Sequence, residues 1–222
     1  MNIFIVLAHP EIRSFNGALF NTAVETLKAA GHKVEVSDLY RMNFHAVSDR
    51  SNFATVKDPD YFRQQVEETY ASEVGGFSPE IEAEIKKIEW CDLMIWQFPL
   101  WWFSVPGILK GWIDRVFAIG RTYGYGKIYE TGIFKGKKAL LSLTTGGPKE
   151  AYEKEGFNGD INAILRPLQR GVFSFTGFDV LQPHIVYSPV RISPEERAEA
   201  LNAFAQRLQN IEKEEPVEAG RF

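Results

Sequence analysis

The first residues with chemical potential follow an apolar run at the start of the chain. The segment HPEIRSFN (residues 9–16) leads into a pattern typical of a helix. A helix N-terminus offers unpaired backbone N–H groups and a positive dipole end, which suits a phosphate. Ser14 and Asn16 add side-chain donors, while His9 and Arg13 could add charge. The alternative is a simple helix cap at Ser14 with His9 packed in the core, and this segment alone leaves both open.

Two further loops carry unusual residues for their position. PLWWF (residues 99–103) places three large aromatic side chains between an apolar strand and a helix. Aromatic side chains on a loop are costly unless they face a partner or a flat ligand. TTGG (residues 144–147) follows another strand, and its glycines let backbone approach a ring closely. Paired Trp is often only core and Gly-Gly often only a turn, but together the three loops predict a site for a flavin-like, phosphate-bearing heteroaromatic ring.

The common nucleotide-binding motifs are absent. No G-x-G-x-x-G fingerprint occurs in the sequence. The stretch Gly124–Lys127 is not a Walker A motif, because no Gly lies five residues before Gly126 and Ile128 stands where Ser or Thr is needed. ATP-binding and Rossmann-type sites therefore lose most of their support.

Strands and helices alternate along the chain. The predicted strands are Asn2–Ala8, Lys33–Asp38, Asp92–Phe98, Lys137–Thr145 and Asp179–Tyr187, the last interrupted by Pro183. The predicted helices are Asn16–Ala30, Tyr61–Tyr70, Pro79–Glu89, Pro106–Ile119, Asn162–Phe173 and Glu195–Ile211, several with a Ser-Pro start. This order favours an α/β doubly wound sheet of five parallel strands with helices on both faces. In such sheets ligands bind beyond the carboxyl ends of the strands, where the three loops fall.

The composition fits one soluble domain. The chain has 222 residues with a hydrophobic fraction of 45% and a charged fraction of 24%, which is typical of globular proteins. We expect a single domain over residues 1–211 and a loosely held acidic tail over residues 212–222. The long connection at residues 40–77 is expected to be functional or interfacial.

Charge and cysteine content narrow the function classes. A net charge of −4 gives no drive toward nucleic acid or an anionic membrane. Cys91 is the single cysteine, so no intrachain disulfide can form and a reducing compartment fits. The apolar start is too short for a signal peptide or a membrane span. We therefore expect a cytoplasmic protein without membrane insertion, metal or nucleic acid.

The chain resembles the NAD(P)H:quinone oxidoreductases of the DT-diaphorase type, which are flavodoxin-like FAD enzymes that work as homodimers. The similarity extends from about Asn2 to Ile211. It is carried by the segments IVLAHPEIRSFNGAL (5–19), SDLYRMNF (37–44), QFPLWWFSVPGILKGWIDRVF (97–117), LTTGGPKEAY (143–152) and GDINAILRPLQ (159–169). The block at 97–117 is long and unusual enough that chance explains it poorly.

The resemblance implies a role for each matching position. Contacts to the FAD pyrophosphate fall on His9, Ser14, Phe15 and Asn16. Contacts to the isoalloxazine ring fall on Pro99, Leu100, Trp101, Trp102 and Phe103. The residues that flank the flavin are Thr144, Thr145, Gly146 and Gly147. The same residues form the floor of the pocket for nicotinamide and quinone. Arg197 would approach the adenine end, while Tyr123 and Tyr125 would line the substrate pocket of a second subunit.

Two positions depart from the family pattern. The family's catalytic pair is a tyrosine followed six residues later by a histidine; here the pair is Tyr152 and Asn158. Asparagine can donate a hydrogen bond but cannot carry a proton near neutral pH. A family glutamine near the adenine falls at Arg63, with Gln64 alongside, so that contact stays unassigned.

The implied reaction is two-electron transfer from NADH or NADPH to a quinone by a ping-pong mechanism, with both substrates using one slot. Two alternatives stay open: a flavodoxin-type FMN electron carrier, and an ancillary regulatory subunit of a potassium-efflux system. Azo and nitro compounds are further possible acceptors. No clamp for a 2′-phosphate is identifiable, so the choice between NADH and NADPH is also open.

Overall fold

The strands form one parallel sheet. The computed structural model describes residues 1–219. The strands are β1 Asn2–Leu7, β2 Lys33–Asp38, β3 Leu93–Pro99, β4 Lys138–Thr145, β5 Asp179–Val180 and β6 His184–Tyr187. Their order is β2-β1-β3-β4-β5, and β6 also pairs with β4. This arrangement confirms the predicted doubly wound α/β fold.

The fifth position in the sheet is filled by two short strands. β5 pairs with the start of β4, whereas β6 pairs with its end, where His184 lies opposite Ser142. The predicted strand Asp179–Tyr187, with its interruption at Pro183, is thus two strands on either side of that proline. Pro183 has no N–H group for the ladder, and the chain leaves the sheet between the two pieces.

Helices cover both faces of the sheet. They are α1 Phe15–Ala29, α2 Gln64–Val74, α3 Pro79–Trp90, α4 Gly107–Val116, α5 Ile161–Leu168 and α6 Pro194–Leu208. Alternate β1 side chains point to opposite faces, as strand geometry requires. Ile3 and Ile5 pack with Leu19 and Phe204 under α1 and α6. Phe4 and its neighbours pack under α3, α4 and α5.

Four predicted helices differ from the observed ones by three or more residues at an end. The predicted helix Pro106–Ile119 ends at Val116, and the predicted helix Glu195–Ile211 ends at Leu208. The predicted helix Tyr61–Tyr70 begins three residues later, because the Asp58 carboxylate accepts hydrogen bonds from the N–H groups of Asp60 and Tyr61 and holds them in a turn. The predicted helix Asn162–Phe173 ends as α-helix at Leu168 and continues as a π-helical turn over Gln169–Ser174. Pro167 lies within α5 just before this change.

The connection at residues 40–77 is anchored to α4 by a buried arginine. Arg115 donates hydrogen bonds to the Asn52 side chain at 2.7 Å and to the backbone carbonyl of His45. It also lies 3.1 Å from the Glu80 carboxylate. The connection is therefore part of the folded domain, and its suggested functional role stays a prediction.

The last described residues contact the start of β4 and β5. The Lys138 ammonium donates to the carbonyl oxygens of Glu212 and Glu214, at 2.9 and 2.7 Å. The N–H of Val217 donates to the carbonyl of Val180. These contacts do not measure motion, so the expected looseness of the tail stays a prediction, and residues 220–222 of it lie outside the described part. No helix among residues 1–219 is long and apolar enough to cross a membrane.

We predict that Gly111→Ala lowers the free energy of unfolding by about 1–3 kcal/mol, the usual cost of overpacking. A Cβ at this buried position in α4 would lie 2.0 Å from the carbonyl oxygen of Ala46. Gly107→Ala is the matched control on the same helix, since a Cβ there meets no atom within 4 Å. Urea unfolding of both variants measures the difference, and equal stabilities would contradict the prediction.

Candidate active site

The three predicted loops meet at the carboxyl edge of the sheet. The N–H of Ala8 donates to the carbonyl of Gln97, and the N–H of Leu100 donates to the carbonyl of Thr144. The ends of β1, β3 and β4 are thus adjacent, with β1 and β3 at the switch in strand order. We call residues 9–16, 99–104 and 144–147 the strand-end site.

The first loop is organised around His9. Its Nδ1 lies 3.0 Å from the N–H nitrogen of Glu11 and 3.0 Å from Ser14 Oγ. The ring is half-buried and lies 6.2 Å from the ring of Trp101, so His9 is a loop residue rather than a core residue. Nδ1 also lies 2.9 Å from the Glu11 carbonyl oxygen, so this nitrogen is engaged by its own loop and Nε2 is the ring nitrogen left for a ligand.

Ser14 caps α1, which is one half of the alternative interpretation of this loop. Its hydroxyl accepts a hydrogen bond from the N–H of Gly17 at 3.1 Å. The N–H groups of Phe15 and Asn16, in the first turn, have no partner within the helix. A Cβ at Gly17 would lie 1.8 Å from the carbonyl oxygen of Ile12, so the loop folds tightly over the start of α1. This end of α1 offers the N–H groups that a phosphate needs.

Arg13 does not supply free charge to the site. Its guanidinium makes a two-point ion pair with the Glu11 carboxylate, at 3.0 Å for both contacts. The hydrogen bonds from Arg13 lower the pKa of Glu11 to about 2. Glu11 therefore neutralises Arg13 on the exposed surface, and the positive charge of Arg13 is not free to bind a ligand.

A buried amide ties the three strand ends together. Asn16 Nδ2 donates to Thr144 Oγ1 at 2.9 Å, and Gln97 Nε2 donates to Asn16 Oδ1 at 2.9 Å. All three residues are buried. The Asn16 side chain therefore positions the site, and what it can offer a phosphate directly is its backbone N–H. Gln97 was missed by the sequence analysis because it falls within an apolar strand pattern.

The aromatic loop is a strained, exposed turn. Trp101 and Ser104 exchange two backbone hydrogen bonds of 3.0 Å around it. Trp102 and Phe103 have φ angles of 51° and 59°, a region that side chains other than glycine rarely adopt. The Trp102 side chain is 96% exposed and Phe103 is 50% exposed. A strained turn that presents apolar rings to solvent indicates a ligand or partner surface.

The glycine loop places an open face beside two polar side chains. Ser188 Oγ donates to the Gly146 carbonyl at 3.1 Å and holds the loop in place. A Cβ at Gly146 would meet no atom within 4 Å. A Cβ at Gly147 would lie 3.2 Å from the Tyr152 ring and 3.3 Å from Asn158 Nδ2. The structure thus brings Tyr152 and Asn158 together against Gly147.

Three residues that were predicted to contact cofactor or substrate lie outside the strand-end site. Arg197 donates to the carbonyls of Pro189 and Ile192, at 3.2 and 2.8 Å, in the loop that follows β6. Tyr123 lies against α2, where its hydroxyl accepts from Gln65 Nε2, and its burial raises its pKa. Tyr125 is 95% exposed.

The loop that carries Tyr123 and Tyr125 is fixed at the opposite edge of the sheet. Arg121, in this loop, binds Glu89 at the end of α3, just before β3 begins. Neither tyrosine therefore joins the strand-end site of its own chain. Arg63 pairs with Asp58 at 3.2 Å, which leaves the adenine contact unassigned as before.

The strand-end site is an open surface. A cavity of about 810 Å³ adjoins its first loop, but on the β2 side, with Phe20, Asp38 and Tyr40 in its walls and no residue of the other two loops. A flat ring with a phosphate arm fits the strand-end site itself, because free N–H groups, exposed aromatic rings and the open face of Gly146 lie side by side. No cluster of His, Cys, Asp or Glu within residues 1–219 could hold a metal ion.

Known proteins share this fold and sequence. The family described as flavodoxin-like fold matches residues 1–211. The chain is 46% identical to NAD(P)H dehydrogenase [quinone] 1 of Rattus norvegicus, over 96% of this chain and 78% of the relative. It is 47% identical to ribosyldihydronicotinamide dehydrogenase [quinone] of Homo sapiens, over 97% of this chain and 94% of the relative.

Solved structures agree with these relatives. A structure from Klebsiella pneumoniae has a TM-score of 0.93 and 40% identity, and covers 98% of this chain and 87% of that chain. NAD(P)H:quinone oxidoreductase from Methanothermobacter marburgensis has a TM-score of 0.72 and 29% identity, with coverage of 96% and 97%.

We predict that Trp102→Gly raises the free energy of unfolding by about 1–2 kcal/mol, because glycine adopts a positive φ without the steric cost. The exposed ring contributes little burial that could be lost. Trp101→Gly is the matched control, since Trp101 lies outside the positive-φ region and gains nothing from glycine. Urea unfolding compares the two variants; a Trp102→Gly protein less stable than the parent would contradict the strain.

Proposed function

The chain belongs to the flavodoxin-like fold family that matches residues 1–211, and from this membership we propose that it is a flavin-dependent NAD(P)H:quinone oxidoreductase. The observation that carries the proposal is the convergence of three loops at the strand-end site, each suited to a different part of a flavin. The identity of nearly half to quinone dehydrogenases over almost the whole chain supports the same activity.

We propose FAD as the cofactor. The backbone N–H groups of Phe15 and Asn16 would bind the diphosphate beside the Ser14 hydroxyl, and His9 Nε2 would face the same group. Arg197 would approach the adenine end. The resemblance supports FAD over FMN, and the flavin supplies the capacity to accept and return a hydride.

The ring would lie between the aromatic turn and the glycine loop. Trp101, Trp102 and Phe103 line one side, with Pro99 and Leu100 beneath them. Thr144 and Thr145 are buried and would flank the ring; the Thr145 hydroxyl holds the glycine loop by donating to the Gly147 carbonyl at 2.8 Å.

One slot would serve both substrates. The open face of Gly146 and Gly147 would first receive the nicotinamide donor and then, after its departure, the quinone. Sequential use of one slot is the physical reason to expect ping-pong kinetics. Tyr152, packed against Gly147, would offer its hydroxyl to negative charge that develops during hydride transfer, whereas Asn158 would stand at the position of the family histidine without the ability to carry a proton.

A second copy of the chain would complete the slot. The strand-end site is open, and Tyr123 and Tyr125 lie at the far edge of their own subunit. A homodimer that brings these tyrosines over the partner subunit's glycine loop would enclose the substrate and cover the exposed rings of the aromatic turn. We place this dimer in the cytoplasm, where the single thiol of Cys91 stays reduced.

A reduced nicotinamide riboside is a second candidate donor. The relative of Homo sapiens is named for ribosyldihydronicotinamide, and this chain covers 94% of it at 47% identity. The experiment below therefore compares NADH and NADPH, which carry an adenosine diphosphate arm, with dihydronicotinamide riboside, which lacks it. Acceptor choice among quinones, azo compounds and nitro compounds is tested in parallel.

The decisive experiment is anaerobic reduction of the flavin-loaded protein. NADPH, NADH or dihydronicotinamide riboside should bleach the flavin absorbance, and menadione should restore it. Flavin released on denaturation should be FAD; FMN without rapid turnover would indicate an electron carrier instead. Binding of flavin with no donor-dependent bleaching would favour a regulatory subunit, and folded protein that stays colourless with added flavin would overturn the proposal.

We predict that Tyr152→Phe slows flavin reduction by up to about 100-fold, the loss typical of a removed donor at a developing charge. Asn158→Ala should change the rate little, because the amide cannot exchange a proton near neutral pH. Tyr187→Phe is the matched control. It removes the same hydroxyl from a ring whose centroid lies 6.0 Å from that of Tyr152, but Tyr187 has no proposed role in the reaction. Stopped-flow absorbance measures all three, and a loss at Asn158 as large as at Tyr152 would contradict the assignment.

A further inference from the structure

Three polar side chains form a row across the sheet. Gln97 on β3 lies opposite Ser142 on β4, and Ser142 lies opposite His184 on β6. Residues opposite each other in neighbouring strands project from the same face. Gln97 contacts Asn16 of α1, so this face is the one covered by α1 and α6. The His184 ring stacks on Phe204 of α6, with centroids 4.1 Å apart.

Each member of the row has a buried atom without a protein partner. These atoms are Gln97 Oε1, Ser142 Oγ and His184 Nε2. They are half of the six such side-chain atoms within residues 1–219, and the register places all three side by side. Buried polar atoms in folded proteins are almost always paired, with protein or with ordered water. Their shared location therefore points to partners of one kind between neighbouring strands.

Water matches the chemistry and the spacing of the row. Gln97 Oε1 can only accept a hydrogen bond, whereas Ser142 Oγ can donate and accept. Burial, and then the positive charge of Arg207, lower the pKa of His184 to about 4, so its ring is neutral near pH 7. Neighbouring strands lie about 4.8 Å apart, a gap between polar ends that one water molecule can bridge.

The row continues into the strand-end site. Gln97 Nε2 donates to Asn16 Oδ1, and Asn16 Nδ2 donates to Thr144 Oγ1, both at 2.9 Å. The two polar atoms of the Gln97 amide therefore have different neighbours. Its nitrogen bonds Asn16 in the strand-end site, and its oxygen faces Ser142 in the row. A water partner at the oxygen would fix the rotation of this amide and, through it, Asn16.

We propose that Gln97, Ser142 and His184 bind a row of ordered water molecules under α1 and α6, and that this row fixes the Asn16 amide beneath the strand-end site. Gln97, Ser142 and His184 are positioning residues in this arrangement and touch neither cofactor nor substrate. The second half of the proposal rests on the proposed flavin function, whereas the first half does not.

A high-resolution crystal structure of the unaltered protein tests the water. We expect water oxygens at about 2.7–3.2 Å from at least two of the three unpaired atoms. Direct hydrogen bonds among the three side chains, or no water density between them, would overturn the proposal. This test does not depend on flavin binding.

A double variant tests the positioning. Ser142→Ala with His184→Phe removes two water partners and keeps an aromatic ring on Phe204. We expect the flavin dissociation constant of the apoprotein to rise about fivefold, as for one net hydrogen bond. Thr176→Val is the control, because its buried hydroxyl bonds the carbonyl oxygens of Val172 and Phe173 at the end of the π-helical turn, and it should leave the constant unchanged.

The outcomes separate the two halves. His184→Gln restores a polar atom and should return affinity toward the parent value, which a purely structural effect would not do. A double variant that lacks the water and keeps the parent affinity refutes the positioning role. If it does not fold, the single variants Ser142→Ala and His184→Phe carry the same comparison, with His184→Gln as the restoring variant. If the unaltered protein binds no flavin, the proposed function fails, and the crystal structure alone decides the water.

Discussion

The hydrogen bonds of one buried amide hold the site together. Asn16 joins the start of α1 to Gln97 on β3 and Thr144 on β4, so three loops far apart in sequence share a fixed geometry. A lost partner here would leave a buried polar group unpaired, at a cost of about 1–3 kcal/mol. The loops can therefore carry exposed rings and free N–H groups because the frame beneath them is rigid.

Above this frame, the aromatic turn trades stability for shape. Two consecutive residues with positive φ, Trp102 and Phe103, are held by a pair of backbone hydrogen bonds from Trp101 to Ser104. Such strain persists where the surrounding structure imposes it, and it is concentrated at functional surfaces. The site thus combines a stable buried hydrogen-bond network with a strained, exposed aromatic turn.

Much of the fold could be read from the sequence because its signals are local. Apolar runs and Ser-Pro starts marked strands and helices to within a few residues, and the strand-end rule placed three loops on one edge. What failed depends on distant or competing contacts. The Asp58 turn delays α2, and α5 changes to a π-helical turn after Leu168. Gln97 looks like one polar residue in a core strand, and only the register reveals its row. No sequence pattern shows that Tyr125 lies at the far edge of its own subunit.

The divided last strand also bears on behaviour at high concentration. An exposed sheet edge offers unpaired N–H and C=O groups to other chains, and long flat edges promote aggregation. Here β5 and β6 present two and four residues with a break between them. On the other side, β2 exposes Lys33 and Glu35, charged side chains that would lose hydration against an added strand. Both margins of the sheet are thus poor templates for strand addition, which protects a parallel sheet while it folds.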